Sequence, residues 1–518
     1  MGPALFSSRD SIPCLLLFCL ISLLHSRVHG LFPGATPDEG DVRHLYPSAT
    51  LAVVVDSHAH ALPYLLGWLE NLEYPKKRLN VDVFMLRGAK EDTSREQVQW
   101  WCRQTADLFK SLQSVETATR KRQSSFLLIW HADVLPKDAG LLARLFKKTA
   151  PVLSTLLVRP AESVDGQWNV ADLEEAELKI GREETALEIS SPSFPLLFNL
   201  DLMDSSYLTF DAGNVAGYKG DADPVAVLGH SARSMSIRVL AVRSEDAGWH
   251  FYDGYPLKQR RATMRYLLAS LIADHGPHPL PQSRVVRAPT PDPSTVGFDK
   301  VYVINLARRP ERRRRMQSIC ETIGLECEVF PAVDGKALPK DVEVKQLEGY
   351  LDPYKKRPLL NGEIGCFMSH YNIWQEVQSR GLKRETMHDI DEKHFDWDLI
   401  YLGRKRLESE NHREFWVPDI RHLSTVGYSY WTVAYTLSNS GAARLLHGNP
   451  LQKMVAVDEY IPIMADVHPN REWSEAFEER VLKAFTLYPL IVHPQKYVSE
   501  DGYVSDTEAV EVREKTEL

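Results

Sequence analysis

The sequence predicts an α/β protein built as two tandem domains with mostly parallel sheets, and three observations carry that prediction. Both halves open alike, with a β-branched run, a helical stretch and a second apolar run. That spacing suits a parallel strand-helix-strand unit with a right-handed crossover. Between the halves, His275 to Gly297 holds six prolines and neither helix nor strand periodicity, which marks an extended linker. The composition, 44% hydrophobic and 25% charged over 518 residues, is that of an ordinary globular chain and excludes a collagen-like or wholly disordered one. A net charge of -9 offers no general attraction to phosphate backbones, so nucleic-acid binding is not expected.

The elements follow in order. Ile12 to Leu24 is an apolar run of thirteen residues behind Arg9, short of the roughly 20 that a membrane span needs. Residues 1–30 therefore read as a signal peptide, with no membrane span expected after its removal. A first domain is expected over 48–275, with strands at Thr50–Val55, Asn80–Leu86, Ser125–Trp130 and Val152–Val158 and a helical stretch at Ala59–Leu72. A linker covers 276–297, and a second domain 298–500 opens with a strand at Lys300–Leu306. There, Pro310 suits a first helical turn and Gly324 its end, before strands at Glu326–Phe330 and Trp397–Leu402. An acidic tail, 501–518, ends in Lys515, Thr516, Glu517 and Leu518, one position from KDEL. Together with the signal peptide, that ending predicts retention in the endoplasmic reticulum lumen through a KDEL-type retrieval receptor. Cys102, Cys320, Cys327 and Cys366 remain after signal removal and allow one or two disulfides, whose pairing stays open.

Three constellations could carry chemistry. Asn305 to Arg315 (NLARRPERRRR) is the most basic stretch and lies where a strand gives way to a helix. Backbone N–H groups, helix dipole and the guanidinium groups of Arg308, Arg309 and Arg312 would converge there on an anion such as a nucleotide diphosphate. Asn361 to Trp374 (NGEIGCFMSHYNIW) reads as a helix carrying Glu363, Ser369 and His370; a lone histidine on so apolar a helix is more often structural than a ligand. Asp458 and Glu459 stand between apolar flanks, where burial would raise a carboxyl toward the range of a general base.

These stretches, with VDGK at 333–336, WDLIYLGRKRL at 397–407, GYSYWTVAY at 427–435, VDEY at 457–460 and DGYVSDTE at 501–508, resemble glycosyltransferase family 25. Within it they resemble the procollagen galactosyltransferases and the related cerebral endothelial cell adhesion molecule; HALPYLLGWLENLEYPKKR at 60–78 resembles that family's amino-terminal domain. The resemblance implies two GT-A-like domains and transfer of galactose from UDP-galactose to hydroxylysine of a collagen acceptor, with Mn2+ as cofactor. It makes Asp458 and Glu459 the candidates for general base. Asn305, Arg308, Arg309, Arg312, Glu363, Ser369 and His370 become candidates for the nucleotide sugar.

The chain departs from the family at one place. After the SHYNIW helix the family has a strand ending in Glu-Asp-Asp, whereas here only Leu382 to Asp396 precedes WDLIYLG, and no apolar strand can be drawn from it. The substitutes on offer for a metal are Asp389 and Asp391, whose position reads as helical, and His131 with Asp133, which stand where the amino-terminal domain has Asp-x-Asp. The departure leaves two alternatives beside the active transferase: a non-catalytic binding or adhesion-type member, and an incomplete gene model.

Overall fold

In a computed structural model, the described residues are 46–494 apart from 87–91, 116–123, 137, 149, 156–186, 190–191, 193, 221–222, 243–247, 251–255, 339–342, 381–393 and 408–413. The chain divides into two compact units, the first dominated by residues up to Leu268 and the second by residues from Thr290 onward. Residues 1–30, expected to be a signal peptide, the tail with its KDEL-like end, and Asp389 and Asp391 lie outside the described residues. Among those described, no helix is long and apolar enough to cross a membrane.

The first unit is built on β1 (Ala49–Val55), α1 (Leu62–Asn71), β2 (Leu79–Met85), α2 (Ser94–Thr105), β3 (Ser111–Val115) and β4 (Phe126–His131). It continues through β5 (Val134–Pro136), α3 (Leu141–Leu145), β6 (Val152–Thr155), β7 (Leu187–Glu188), β8 (Leu196–Asn199), α4 (Pro224–Ser234), β9 (Val239–Val242) and β10 (Gly248–His250). Eight strands make one sheet in the order β3-β2-β1-β4-β8-β6-β9-β7. β3, β2, β1 and β4 run parallel; β8 lies antiparallel between β4 and β6, β9 pairs parallel with β6, and β7 edges β9 antiparallel. β1 (ATLAVVV) is buried at all seven positions because both its edges are paired and both its faces are covered. On one face lie Leu62, Leu65, Trp68 and the stacked Trp130; on the other are Leu127, Phe198 and Leu228.

The proline-rich segment is not a free tether. Ser283 is fully buried and donates from its hydroxyl to Glu70, whose other carboxylate oxygen accepts the Arg284 N–H at 2.9 Å. Residues Pro281 to Ser283 pass so close to Gly67 of α1 that any side chain there would strike their backbone. α5 (Leu257–His275) precedes this segment.

The second unit comprises β11 (Tyr302–Asn305), α6 (Pro310–Ile323), β12 (Glu328–Pro331), α7 (Asn361–Arg380), β13 (Leu399–Arg406), β14 (Leu423–Thr425) and β15 (Ser429–Leu437). It ends with α8 (Asn439–His447), α9 (Val457–Met464), α10 (Arg471–Glu475) and β16 (Ala484–Leu487). β11 and β12 pair parallel as an isolated couple, and a separate sheet has the order β14-β16-β13-β15. Pro310 opens α6, and Gly324 ends it in the left-handed region at φ 74°. The disulfide that forms is Cys320–Cys327, tying the end of α6 to the strand after it, while Cys102 and Cys366 are thiols. The core gathers Phe367, Trp374, Leu399, Tyr401, Leu445 and Tyr460.

Candidate active site

The acidic pair of the second unit sits in the first turn of α9, where the helix dipole favours negative charge. The helix is held by Tyr460, fully buried, whose hydroxyl donates to the Leu445 carbonyl at 2.6 Å. Two adjacent helical residues point about 100° apart, and the pair is divided accordingly. Glu459 is completely buried, and its Oε2 accepts from the Tyr428 hydroxyl at 2.8 Å and lies 2.7 Å from His468 Nε2. Asp458 is half-buried, and its carboxyl is pushed up to about 7, first by burial and then by the charge of Glu459.

Asp458 is steadied by the backbone N–H of Trp431. That contact is made by an irregularity in β15. Opposite Lys405 to Gly403 on β13, β15 advances from Tyr430 to Ala434, so extra residues bulge out of the ladder. Trp431 stands in this bulge at φ 60°, a strained conformation for a tryptophan, with its indole 46% exposed and Lys405 Nζ 4.9 Å from the ring centroid. Tyr430 packs edge-on against Tyr354 at 5.4 Å, and both feel the charges of Asp458 and Glu459. An acid able to change protonation near neutrality thus stands beside an aromatic wall, an arrangement able to take a proton from a hydroxyl nucleophile.

The other residues singled out in the sequence are placed as follows. The VDGK turn and the start of α7 meet through two glycines: a side chain at Gly335 would strike the Asn361 carbonyl, and one at Gly365 the Val333 carbonyl. Glu363, in that first turn, holds Arg357 through both carboxylate oxygens at 2.8 and 3.1 Å and accepts the Leu360 N–H. Ser369 is buried, donating to the Gly365 carbonyl and accepting the Val333 N–H, so it ties α7 to that turn. His370 is buried against Tyr435, whose hydroxyl lies 2.8 Å from Nδ1, and burial pulls it down to about 4, which keeps it neutral. Asn305 donates to the Leu306 carbonyl. Arg308 pairs with Asp334 at 2.7 Å near the surface; Arg309 stands at the N-cap position of α6 without a side-chain capping bond, and Arg312 lies one turn further on.

In the first unit, His131 ends β4 and Asp133 follows it, with His131 Nδ1 2.6 Å from Asp133 Oδ1. His58 and His60, just after β1, crowd the same strand ends; the His58 and His131 rings are 5.1 Å apart, and burial holds His60 near 3 and His58 well below its ordinary value. The His58 Nδ1 accepts the Asp56 N–H at 3.0 Å, which puts the proton of the neutral ring on Nε2 and denies that nitrogen to a metal. Among the described residues, no group of three His, Cys, Asp or Glu side chains is placed to hold a metal ion. The Mn2+ implied by resemblance therefore finds no fitting ligand set among the described residues.

Sequence reasoning missed Tyr354, Tyr428 and His468. The aromatic run at 427–435 marked the neighbourhood of Tyr428, but nothing local distinguishes a lone histidine nine residues after Glu459.

Comparison with known proteins gives the class. A family model described as "Glycosyltransferase family 25 (LPS biosynthesis protein)" matches residues 298–387, and one described as "Glycosyltransferase family 25, N-terminal domain" matches residues 46–127. The chain is 30% identical to "Glycosyltransferase 25 family member" of Aedes aegypti, over 91% of this chain and 88% of that protein. It is 31% identical to "Procollagen galactosyltransferase 1-B" of Xenopus laevis over 89% and 85%, and 30% identical to "Procollagen galactosyltransferase 2" of Homo sapiens over 89% and 83%. Among solved structures, a mannosyltransferase from Pyrobaculum calidifontis in complex with GDP-Man and Mn2+ aligns over 44% of this chain and 64% of that one. At 16% identity and a TM-score of 0.29, that match is too distant to carry weight. The class is glycosyltransferase. The chain belongs to glycosyltransferase family 25.

Proposed function

We propose that this chain transfers galactose from UDP-galactose to the hydroxylysine hydroxyl of a collagen-type polypeptide in the endoplasmic reticulum lumen, with Asp458 as the general base. The observation that carries the reading is the Asp458 carboxyl, pushed up to about 7 beside an open aromatic wall. A carboxylate with that affinity can accept the proton of the attacking hydroxyl as the bond to the sugar forms, while roughly half of the molecules hold it ionised in neutral solution. The donor sugar and acceptor are supported by the procollagen galactosyltransferase relatives, and the compartment by the expected signal peptide and the KDEL-like end. Arg308, Arg309 and Arg312, at the start of α6 beyond β11, are the residues offered to the diphosphate. To test it, the purified protein is incubated with UDP-galactose, Mn2+ and a hydroxylysine peptide. Galactosylated product is expected, falling at least 100-fold in Asp458→Asn. Lack of both turnover and UDP binding would instead favour the non-catalytic, adhesion-type member.

A second reading is favoured by a separate observation. β11 and β15 each pair along one edge among the described residues and are half-exposed there, as though an inner strand were missing between them. Sequencing the transcript between the codons for Gly381 and Trp397 decides it; further codons for an apolar strand ending in acids are expected on this reading, and an unbroken join would refute it.

A further inference from the structure

Asp458 and Glu459 are neighbours in sequence but are built for different work. Glu459 is completely buried, so it cannot reach a substrate. Its Oε2 collects two donors, the Tyr428 hydroxyl at 2.8 Å and His468 Nε2 at 2.7 Å, while its Oε1 is buried with no hydrogen-bond partner. The direction of the second bond follows from the other side of the ring. His468 Nδ1 accepts the Asn470 N–H at 3.0 Å, so the proton of the neutral imidazole lies on Nε2 and points at Glu459. The imidazole is itself locked, 1% exposed and packed between Tyr428 and Trp473. Two donors on one oxygen are an arrangement for a carboxylate.

We propose that Glu459 is a positioning residue whose fixed negative charge, held by Tyr428 and His468, sets the proton affinity of Asp458. The inference rests on the reading of Asp458 as the base. The groups facing Asp458 are Glu459 on its own helix and Glu363 and Cys366 from α7. Tyr350 and Tyr354 face it from the segment before α7, Tyr428 and Tyr430 from the approach to β15 and β15 itself, and Tyr401 from β13. Glu363 is engaged by Arg357, and the tyrosines and Cys366 are pushed up by burial and so stay neutral. Glu459 remains as the charge that acts on Asp458 most directly.

Glu459→Gln is the test, because the amide can occupy the Oε1 position while the remaining oxygen keeps both donors. The carboxyl resonance of Asp458, assigned by its loss in Asp458→Asn, is titrated by NMR in the wild type and in Glu459→Gln. Removing a like charge at this distance is expected to lower its midpoint by about 1 pH unit or more, and to move the acidic limb of the transferase pH profile by the same amount. Tyr428→Phe, which removes one donor and leaves the charge in place, is expected to shift the midpoint by less. An Asp458 midpoint unmoved by both substitutions would overturn the proposal, since a merely structural Glu459 would lower stability or rate without shifting it. The titration needs no substrate. A midpoint that shifts in a protein without transferase activity would sink the functional reading and leave the charge coupling standing, and the reverse pattern would do the opposite.

Discussion

The central strands of the two units make a controlled pair. In the first unit β1 lies between β2 and β4, and β4 in turn pairs antiparallel with β8; β8 is followed across the sheet by β6, β9 and β7. In the second unit β11 pairs parallel with β12, and β15, β13, β16 and β14 reproduce the antiparallel, parallel, antiparallel sequence of β8, β6, β9 and β7. The position held by β4 has no counterpart among the described residues. The consequence is visible in burial. β1 is buried at all seven positions and β8 at its first three, whereas β11 is half-buried throughout, and β15 is half-buried or exposed over Tyr430–Tyr435. The same strand type, YVIN against AVVV, therefore reaches a different depth according to whether its second edge is filled. Sequence sets how apolar a strand is; pairing sets how much of that apolar surface leaves water.

The largest expected effect tests that difference directly. Leu128→Ala on β4, at a site 1% exposed, is expected to destabilise the first unit by about 2–5 kcal/mol, whereas Ile304→Ala on half-buried β11 should cost about 1 kcal/mol in the second. Urea unfolding followed by a probe for each unit reads both. Equal losses would mean that β11 is as enclosed as β4, and the comparison would fail.

A smaller effect concerns charge. The folded pKa of Asp458 is raised, so between the ordinary carboxylate range and about 7 the native state holds a proton that the unfolded chain has lost. Stability from this group is present at low pH and is lost as pH rises toward and through 7. Asp458→Asn, which cannot ionise, is expected to be more stable than the wild type at pH 8 by about 1–2 kcal/mol, discounted for partial exposure, with the gain shrinking at pH 5. Thermal melts at the two pH values check it, and a constant difference would contradict the sign. The smallest effect is at the surface: Arg308→Ala breaks an exposed pair with Asp334 and is expected to change stability by only about 0–1 kcal/mol. A large loss of UDP binding in that variant, at unchanged stability, would separate a ligand role from a structural one.

Much of this was legible in the residues. The opening strands, the Pro310 start and Gly324 stop of α6, the α7 helix and the acidic pair all rest on local signals: β-branched runs, fixed φ, a left-handed glycine and adjacent carboxylates. β7 and β8 were not read, because two to four residues without strict alternation give no period to detect. The proline-rich segment reads as an extended linker because composition reports stiffness, not the buried hydrogen bonds of Ser283 with Glu70.

By itself the sequence determined the family, the α/β alternation and the adjacency of Asp458 and Glu459, since each is written in local pattern and residue identity. Only the tertiary structure decided that one carboxylate opens to solvent while the other is buried under His468 and Tyr428. A helix turns about 100° per residue, and which side of that turn meets water depends on what packs there, here a bulged strand and a histidine just beyond the end of α9.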